Sequence, residues 1–312
     1  MLRRIGWALV VVWFVITLTF LVTTLIPADP AKTLLGPHAS PEALERVRAH
    51  YCLDRGFFGQ YGCYLEHVAH FDLGESYRSK RAVTAIIADR LWPTVQLALA
   101  AIVLQLLVGV PLGIVAAVRR RRWPDHAANI VTLLGQSAPT FFVGTVLLYV
   151  LAYRFGWFPI AGYGQGGLDR LHHLVLPAAT LSTVSVAYYA RVVRSELLEA
   201  LSEDYVRTAR AKGLPERTVV VRHALRNVLG PLVTLVGLDL GILLGGAVVT
   251  EVIFAWPGLG REVLQSVLEL DVPLIVGVVL VSGLAIAVAN LLVDLMLLSL
   301  DPRLRDGGDG GP

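Results

Sequence analysis

The sequence is dominated by long apolar runs that are separated by shorter polar and charged segments. A helix needs about 20 apolar residues to cross the hydrocarbon core of a bilayer, which is roughly 30 Å thick. In lipid, such a run must satisfy its own backbone hydrogen bonds, as a helix does. The pattern therefore predicts an all-α integral membrane protein with six transmembrane helices, the third of them kinked near Ser137 and Pro139. They are expected at about Ile5 to Ile26, Val95 to Val118, Ile130 to Tyr153, His173 to Val193, Val228 to Val252 and Leu274 to Leu298.

Composition and charge agree with this prediction. Charged residues make up only 16% of the 312 residues, whereas soluble domains carry about a quarter. The net charge of +3 is too small for a nucleic-acid groove, so nucleic acid is excluded as a partner. The Lys and Arg residues instead follow the positive-inside rule. With a cytoplasmic N-terminus, sixteen of the 27 lie on the inner side and three in short outer loops, which predicts that both termini are cytoplasmic.

The remaining basic residues lie in segment 28–92, a long extracytoplasmic loop that the charge rule does not count. The two cysteines of the chain, Cys52 and Cys63, both lie in this loop. On the oxidising side of a membrane they predict a disulfide, which would stabilise so short a loop by about 3 kcal/mol; two free thiols are the alternative. Ser40 and Pro41 predict the start of a short helix. Two roles stay open for the loop: a lid packed on the membrane exit, or a docking surface for an external partner.

The segment between the fourth and fifth predicted spans carries local helix signals. Ser202 is placed to cap a helix, and acidic residues occupy the first turn, where the helix dipole favours them. Basic residues occupy the last turn, Gly213 can adopt the left-handed closing conformation, and Pro215 prevents continuation. A second helix is expected to start at Pro215 and enter the fifth span. The first helix, about ten residues long, comprises Glu203, Asp204, Tyr205, Val206, Arg207, Ala209, Arg210 and Lys212, with Gly213 closing it.

Physical arguments alone leave two uses for this helix: a surface that a partner protein grips, or a basic loop held by anionic lipid headgroups. The segment resembles the coupling loop of permease subunits of binding-protein-dependent ABC importers. Gly213 holds the place of the central Gly of that family's pattern, Ala209 that of its second Ala, and Leu225 that of its Leu. The sequence departs from the pattern at four positions: Arg207, Thr208, His223 and Arg226.

Other segments, in the same order along the chain, resemble the oligopeptide, dipeptide and nickel branch of these permeases. The long loop after the first span points to the first of the two permease types in that branch. The matching segments are 25–30, 71–76, 93–98, 137–141, 204–214, 222–227, 245–260 and 300–303.

The resemblance implies the fold of a type I ABC importer permease in the bacterial cytoplasmic membrane. It implies four kinds of partner: a second homologous permease, one or two cytoplasmic ATPase subunits, an extracytoplasmic solute-binding protein, and membrane lipid. The expected substrate is a di- or oligopeptide, with nickel, glutathione or another small solute as the alternative. A self-sufficient secondary transporter is a weaker candidate, because the spans show no inverted hydropathy repeat. The chain would divide into residues 1–27, 28–92, 93–300 with the coupling loop at about 199–227, and a tail at 301–312.

No motif for chemistry is visible in the sequence. The chain lacks a Gly-x-x-x-x-Gly-Lys-Ser/Thr phosphate loop. We therefore expect it to bind no cofactor, with ATP and Mg²⁺ used by the partner ATPase subunits. His172 and His173 are adjacent and do not share a helix face, and no other His, Cys or Asp residues show metal-ligand spacing. No catalytic residue, metal site or enzymatic activity is expected.

Acidic residues inside predicted spans are candidates for the translocation path, because a charge in hydrocarbon costs at least about 2.5–3.5 kcal/mol. Asp239 lies in the middle of the fifth span. It is either a pore-lining acid that contacts a peptide amine or a structural hydrogen-bond partner of a neighbouring helix. Glu251 lies near the end of the same span and is a candidate for an outer gate, together with Phe254 and Trp256.

Overall fold

The computed structural model describes residues 2–25, 40–123, 125, 130, 135, 137–245 and 247–300, and over these ranges the chain forms a bundle of helices. Two stretches of π-helix interrupt the regular geometry: Leu148–Arg154 continues the α-helix that ends at Leu147, and Val219–Ala224 precedes the α-helix that begins at Leu225. The helices are α1 (Leu2–Leu25), α2 (Pro41–His50), α3 (Phe57–Ala69), α4 (Val83–Val118), α5 (Thr140–Leu147), α6 (Gly167–Ser202), α7 (Asp204–Ala211), α8 (Glu216–Thr218), α9 (Leu225–Leu244), α10 (Val248–Ile253), α11 (Leu259–Glu269) and α12 (Val272–Leu300).

Four of the described helical stretches are long and apolar enough to cross a membrane, and they match the first, second, fifth and sixth predicted spans. The fourth predicted span lies inside α6, which has 36 residues but is less apolar. The third begins outside the described residues, and its described apolar part is Thr140–Arg154. These findings confirm an integral membrane protein. The four stretches are Gly6–Thr24, Val83–Val118, Glu216–Leu244 and Val272–Leu297.

Two predicted features of the spans differ in the structure. The expected kink near Ser137 and Pro139 is an interruption, because α5 starts only after Pro139, whose backbone is extended. Pro139 also disfavours helical geometry at the preceding residue, Ala138. The prediction of one helix up to Val252 is also wrong. Helix α9 ends at Leu244 and α10 begins anew at Val248, after glycines at 245 and 246 that each weaken a helix by about 1 kcal/mol.

Helices α4 and α6 pack side by side along the centre of the bundle. A Cβ on Gly113 of α4 would lie only 2.6 Å from the carbonyl oxygen of Ala190 in α6, and Gly109 is similarly close to the same helix. Helices α9 and α12 approach each other in the same way, at Gly237 and Val293. Small residues at such contacts let membrane helices come close enough for extensive van der Waals packing.

Residues 40–82, which we call the lid, form two short helices and a turn at one end of the bundle. Cys52 and Cys63 form the predicted disulfide, which joins the end of α2 to the middle of α3. Helix α2 begins at Pro41 as predicted, and the hydroxyl of Ser40 accepts a hydrogen bond from the Ala43 N–H at 3.3 Å. The local signals of the sequence are therefore sufficient to define this helix.

The lid packs on the first membrane helix through aromatic side chains of α3. The ring of Phe20 lies 5.1 Å from that of Tyr61 and 5.5 Å from that of Tyr64, measured between centroids. The hydroxyls of these tyrosines form hydrogen bonds with Thr17 and Thr19 at 2.8 and 3.0 Å. The lid is thus attached to the bundle, as the first of its two predicted roles requires.

Candidate functional site

The short helix α7 lies at the end of the bundle opposite the lid, and its bounds agree with the prediction to within a residue or two. Gly213 closes it with a φ of 75°. Ser202 does not cap it, contrary to the prediction: its hydroxyl donates to the carbonyl of Glu199 at 2.7 Å, so Ser202 ends α6. Glu203, in an extended conformation, occupies the capping position without a side-chain bond. Helices α6 and α7 are therefore separated by a single residue.

One face of α7 is buried in the protein. Val206 is fully buried and Ala209 is 5% exposed, and both pack in a hydrophobic core where α4, α6, the π-helical turn before α9 and α9 itself meet. These two residues of the predicted coupling helix attach it to the bundle, so the surface available to a partner consists of the others. The exposed residues of this segment are Glu203, Asp204, Tyr205, Arg207, Thr208, Arg210, Ala211, Lys212 and Gly213.

Two polar contacts connect α7 to the segment that follows it. The Asn227 side chain donates to the Tyr205 hydroxyl at 2.8 Å. Arg210 forms a two-pronged contact with Glu216 at 2.7 and 3.1 Å, and this hydrogen bonding raises the pKa of the guanidinium. Partial burial of the Tyr205 side chain, and secondarily the charge of Glu203, raises the pKa of Tyr205. Helix α7 is therefore held to both α6 and the start of α9, and a displacement of α7 would move both.

Glu251 of α10 is completely buried. Its Oε1 accepts a hydrogen bond from the Thr94 hydroxyl and its Oε2 from the Arg261 N–H, each at 2.9 Å. The Thr94 oxygen in turn accepts from the Leu259 N–H at 2.8 Å. A Cβ at Gly258 would collide with the Glu251 carboxylate, so a larger residue there would have to displace it. Since an unpaired buried carboxylate is very costly, these bonds fasten the turn after α10 to helix α4.

Phe254 and Trp256, the other predicted gate residues, are also buried. The indole Nε1 of Trp256 donates to the Pro93 carbonyl at 2.9 Å, next to the Thr94 contact. Its ring meets Tyr163 edge-on at 4.8 Å, and the Tyr163 hydroxyl donates to Gln96 Oε1 at 2.6 Å. In this conformation Glu251 and Trp256 contact α4, whereas Phe254 packs with Ala152 and with Leu176 of α6. None of the three presents a side chain to an open surface.

Asp239 is half-buried on α9, beside Ser185 and Tyr189 of α6. Its Oδ2 and the neighbouring Tyr189 hydroxyl are buried and make no hydrogen bond of good geometry among the described residues, and the same holds for both amide atoms of Gln105 in α4. Buried polar atoms of this kind are uncommon in proteins. The three central helices thus present polar groups with unused hydrogen-bonding capacity in the interior of an otherwise apolar bundle.

Asp271, at the start of α12, was not identified from the sequence. Its side chain is buried and accepts hydrogen bonds from the Ser76 hydroxyl at 2.5 Å and from the Tyr77 N–H at 3.1 Å. An acidic residue just before Pro273 is a common helix start, and this signal suggests a cap on its own helix. The structure instead uses the carboxylate to hold the last turn of the lid.

Comparison with known families agrees with this fold. Residues 109–306 match the family described as the inner membrane component of binding-protein-dependent transport systems, and residues 1–98 match its N-terminal region. A bundle of membrane helices with this family match defines a transport permease. The chain belongs to the family of binding-protein-dependent transport system inner membrane components.

Several relatives are similar over nearly their whole length. A protein of Brucella abortus (strain 2308) that is named as a peptide transport system permease is 41% identical over 307 residues, covering 97% of this chain and 98% of its own. A D,D-dipeptide transport system permease of Escherichia coli (strain K12) is 40% identical over 332 residues, covering 98% of each chain. A glutathione transport system permease of the same strain is 38% identical over 304 residues, covering 97% of this chain and 98% of its own.

A solved structure shares the fold. An inward-facing form of the MetNI methionine ABC transporter matches 69% of this chain and 96% of its own with a TM-score of 0.56, at 19% sequence identity. This likeness confirms the expected type I importer fold for the matching part of the chain.

Proposed function

We propose that this chain is one of two permease subunits of an ATP-driven importer and that, with the second subunit, it conducts di- or oligopeptides. Peptide and dipeptide transport are the functions named for the relatives that are 40–41% identical, which supports peptides over other solutes. A glutathione permease among the relatives keeps a small peptide-like solute as the second candidate. Nickel or another small solute remains a weaker alternative.

The observation that carries the proposal is the construction of α7. Its inner face is anchored at Val206 and Ala209, while its outer face exposes Arg207 and Lys212. An ATPase subunit that binds the outer face can transmit its closure to α6 and α9, because α7 is attached to both. Transport then proceeds as a rigid-body change between inward-open and outward-open states that a partner biases. A self-sufficient secondary transporter would have no use for this segment.

The proposed orientation places α7 in the cytoplasm and the lid outside the cytoplasmic membrane of a bacterium. The disulfide in the lid supports it, since disulfides persist on the oxidising side of a membrane. An external binding protein would deliver the solute at the lid end, and one or two ATPase subunits would bind at the α7 end. The polar groups around Asp239 are suited to line the path between the two ends and to interact with a peptide amine.

The coupling role is tested by charge reversal on α7, with a matched reversal elsewhere at the same end of the bundle. The chain is reconstituted in vesicles with its partner permease, ATPases and binding protein, and ATPase rate and solute uptake are measured together. Arg207→Glu should abolish uptake and the stimulation of ATPase by loaded binding protein. Arg120→Glu, an exposed arginine outside α7, should retain both. Equal losses in the two variants would favour the lipid-headgroup role and contradict the proposal.

The substrate is tested separately with the binding protein of the same system. Its affinity for a panel of dipeptides, longer peptides, glutathione and Ni²⁺ can be measured by calorimetry. Tight binding of peptides supports the proposed substrate. Binding of Ni²⁺ alone would refute it without affecting the coupling role of α7.

A further inference from the structure

Three side chains with metal-binding donor atoms converge in the lid: His50, His67 and Asp72. One donor atom from each lies within 4.8 Å of the other two. The Nε2 atoms of both histidines are 3.9 Å from the same carboxylate oxygen, Oδ2 of Asp72. The spacing in the sequence does not reveal this cluster, because the three residues belong to α2, α3 and the turn after α3.

The fold of the lid brings the three residues together. His50 is the last residue of α2, and the disulfide from Cys52 to Cys63 fixes this end of α2 against α3. His67 lies one helical turn after Cys63, on the same face of α3. Asp72 follows immediately after α3, where its N–H donates to the His67 carbonyl at 2.9 Å. The covalent bond and the end of α3 therefore determine the distances between the three donors.

The second polar atom of His67 and that of Asp72 each form a hydrogen bond with the backbone, and these bonds leave the proposed donor atoms available. His67 Nδ1 lies 2.8 Å from the Cys63 carbonyl, so this nitrogen donates to the carbonyl and Nε2 is the nitrogen that can bind an ion. Asp72 Oδ1 accepts from the Gly74 N–H at 3.0 Å, which leaves Oδ2 facing the two rings. Such outer hydrogen bonds orient the ligands in established metal sites and increase their basicity.

We propose that His50 Nε2, His67 Nε2 and Asp72 Oδ2 bind a divalent late first-row transition ion, with Zn²⁺ as the representative. Bonds of about 2.0–2.2 Å in tetrahedral geometry place donor atoms roughly 3.3–3.6 Å apart. The two 3.9 Å separations therefore need to close by about half an ångström, and the two histidine donors, which lie within 4.8 Å of each other, by up to about 1.5 Å. Rotation of the exposed His50 side chain can provide this movement. Two imidazoles and one carboxylate suit zinc, copper, nickel or ferrous iron, whereas Mg²⁺ and Ca²⁺ prefer oxygen ligands.

The site opens onto a cavity of about 750 Å³ that lies between the lid, the end of α1 and the start of α12. His67 and Asp72 both line this cavity, as do Arg48 and Glu75, whose charges are opposite. The three protein ligands leave a fourth coordination position, which water or a cavity occupant can fill from this side. A bound ion would also link the end of α2 to α3 and to the turn that follows it, and so would stiffen the lid.

Ion binding can be measured on the full-length chain in detergent, with the disulfide intact and a histidine-free affinity tag. Equilibrium dialysis against Zn²⁺ followed by elemental analysis should give one ion per chain, and excess Mg²⁺ should not displace it. His50→Ala and His67→Ala should each weaken binding by at least about 100-fold, the upper end of the effect of losing an outer-shell partner alone. His50 has a side chain that is 59% exposed, so its replacement tests the site without disturbing the fold.

The matched control is His70→Ala. His70 is exposed, lies close by in the same lid, and contacts only the carbonyl of Glu66 through its ring in the described part of the chain. It should bind Zn²⁺ as the parent chain does, and Zn²⁺ should raise the thermal stability of both proteins but not of His50→Ala. Equal stoichiometry in His50→Ala and His70→Ala, or no ion retained by the parent chain, would overturn the proposal. Neither result depends on the transported solute, so the test is independent of the proposed function.

Discussion

The hydroxyl of Ser76 donates to the carboxylate of Asp271 although 195 positions separate the two residues in the sequence. The same carboxylate accepts from the N–H groups of Tyr77 and Arg78 at 3.1 and 3.5 Å. One buried acid therefore holds the last turn of the lid against the start of α12. Since the lid also packs on α1, it is fastened to both the first and the last membrane helix.

Removal of this acid should loosen the turn locally. In Asp271→Ala, the amide hydrogens of Tyr77 and Arg78 lose their acceptor, and hydrogen bonds to charged groups contribute about 1.5–3 kcal/mol. Their exchange rates should rise by about 10- to 100-fold, measured by hydrogen–deuterium exchange with mass spectrometry. Asp54→Ala, on the exposed part of the lid, should leave them unchanged. Unaltered protection of residues 76–80 in Asp271→Ala would mean that this contact does not hold the turn.

The hydrogen bond between Glu251 and Thr94 should contribute to the stability of the helical bundle. Glu251→Ala leaves the Thr94 hydroxyl and the Arg261 N–H without their acceptor in a buried site, and each orphaned group costs about 1–3 kcal/mol. The free energy of unfolding should fall by about 2–6 kcal/mol for the two groups together, measured by denaturant titration in mixed micelles. Glu45→Ala, an exposed acid of α2, should change it by less than about 0.5 kcal/mol. Similar values for the two variants would contradict a structural role for the Glu251 carboxylate.

Local signals in the sequence account for much of the fold. Apolar runs of sufficient length predict membrane helices because the bilayer leaves few other conformations. The start of α2 at Pro41 and the closure of α7 at Gly213 follow from capping and backbone preferences within a few residues. The cysteine pair was predictable because only two cysteines share one loop. In each case the deciding interaction spans a short stretch of chain.

The long-range contacts were not predictable in this way. The sequence indicates Glu251 as a gate candidate on the fifth span, but its side chain is held by Thr94, 157 positions away. Asp271 has the local signature of a helix cap, yet its partners come from the lid. Ser202 has the right residue type for a cap, but its hydroxyl bonds backwards into α6. A polar side chain has several possible hydrogen-bond partners. Tertiary packing decides which of them it bonds to, and the local sequence does not determine that packing.

The ionisation of Tyr205 offers a test of the environment of α7. Burial is the larger cause of its raised pKa and the charge of Glu203 the smaller. Glu203→Gln should therefore lower the pKa of Tyr205 only part of the way towards its ordinary value near 10. Because the folded pKa is the higher one, the stability that Tyr205 contributes is complete below about pH 10 and is lost as the pH rises through the folded value.

The measurement is a pH titration of phenolate absorbance, with Tyr205→Phe subtracted to isolate this residue. A pKa that Glu203→Gln leaves unchanged or raises would show that the acid does not act on Tyr205. A pKa that returns fully to its ordinary value would show that burial does not act on it.

Two substitutions of Gly213 distinguish an effect on stability from an effect on coupling to the ATPase. Its φ of 75° strains any other residue by about 1–2 kcal/mol, while no atom lies within 4 Å of an added Cβ, so Gly213→Ala should cause only this modest backbone penalty. Gly213→Pro cannot adopt the angle, because proline fixes φ near −65°. It also removes the N–H that donates to the Arg210 carbonyl at 2.9 Å. The end of α7 should then lose its closing turn, and the surface offered to an ATPase should be displaced.

We expect a graded loss of coupling in vesicles that contain the complete transporter. Gly230→Ala, where an added Cβ also meets open space but the backbone is helical, should transport at the rate of the parent protein. Gly213→Ala should reduce uptake only modestly. Gly213→Pro should abolish uptake while the ATPase subunits continue basal hydrolysis that loaded binding protein no longer stimulates. Because the glycine lies outside the packed core, a stable Gly213→Pro protein with normal uptake would mean that the closing turn of α7 plays no part in coupling.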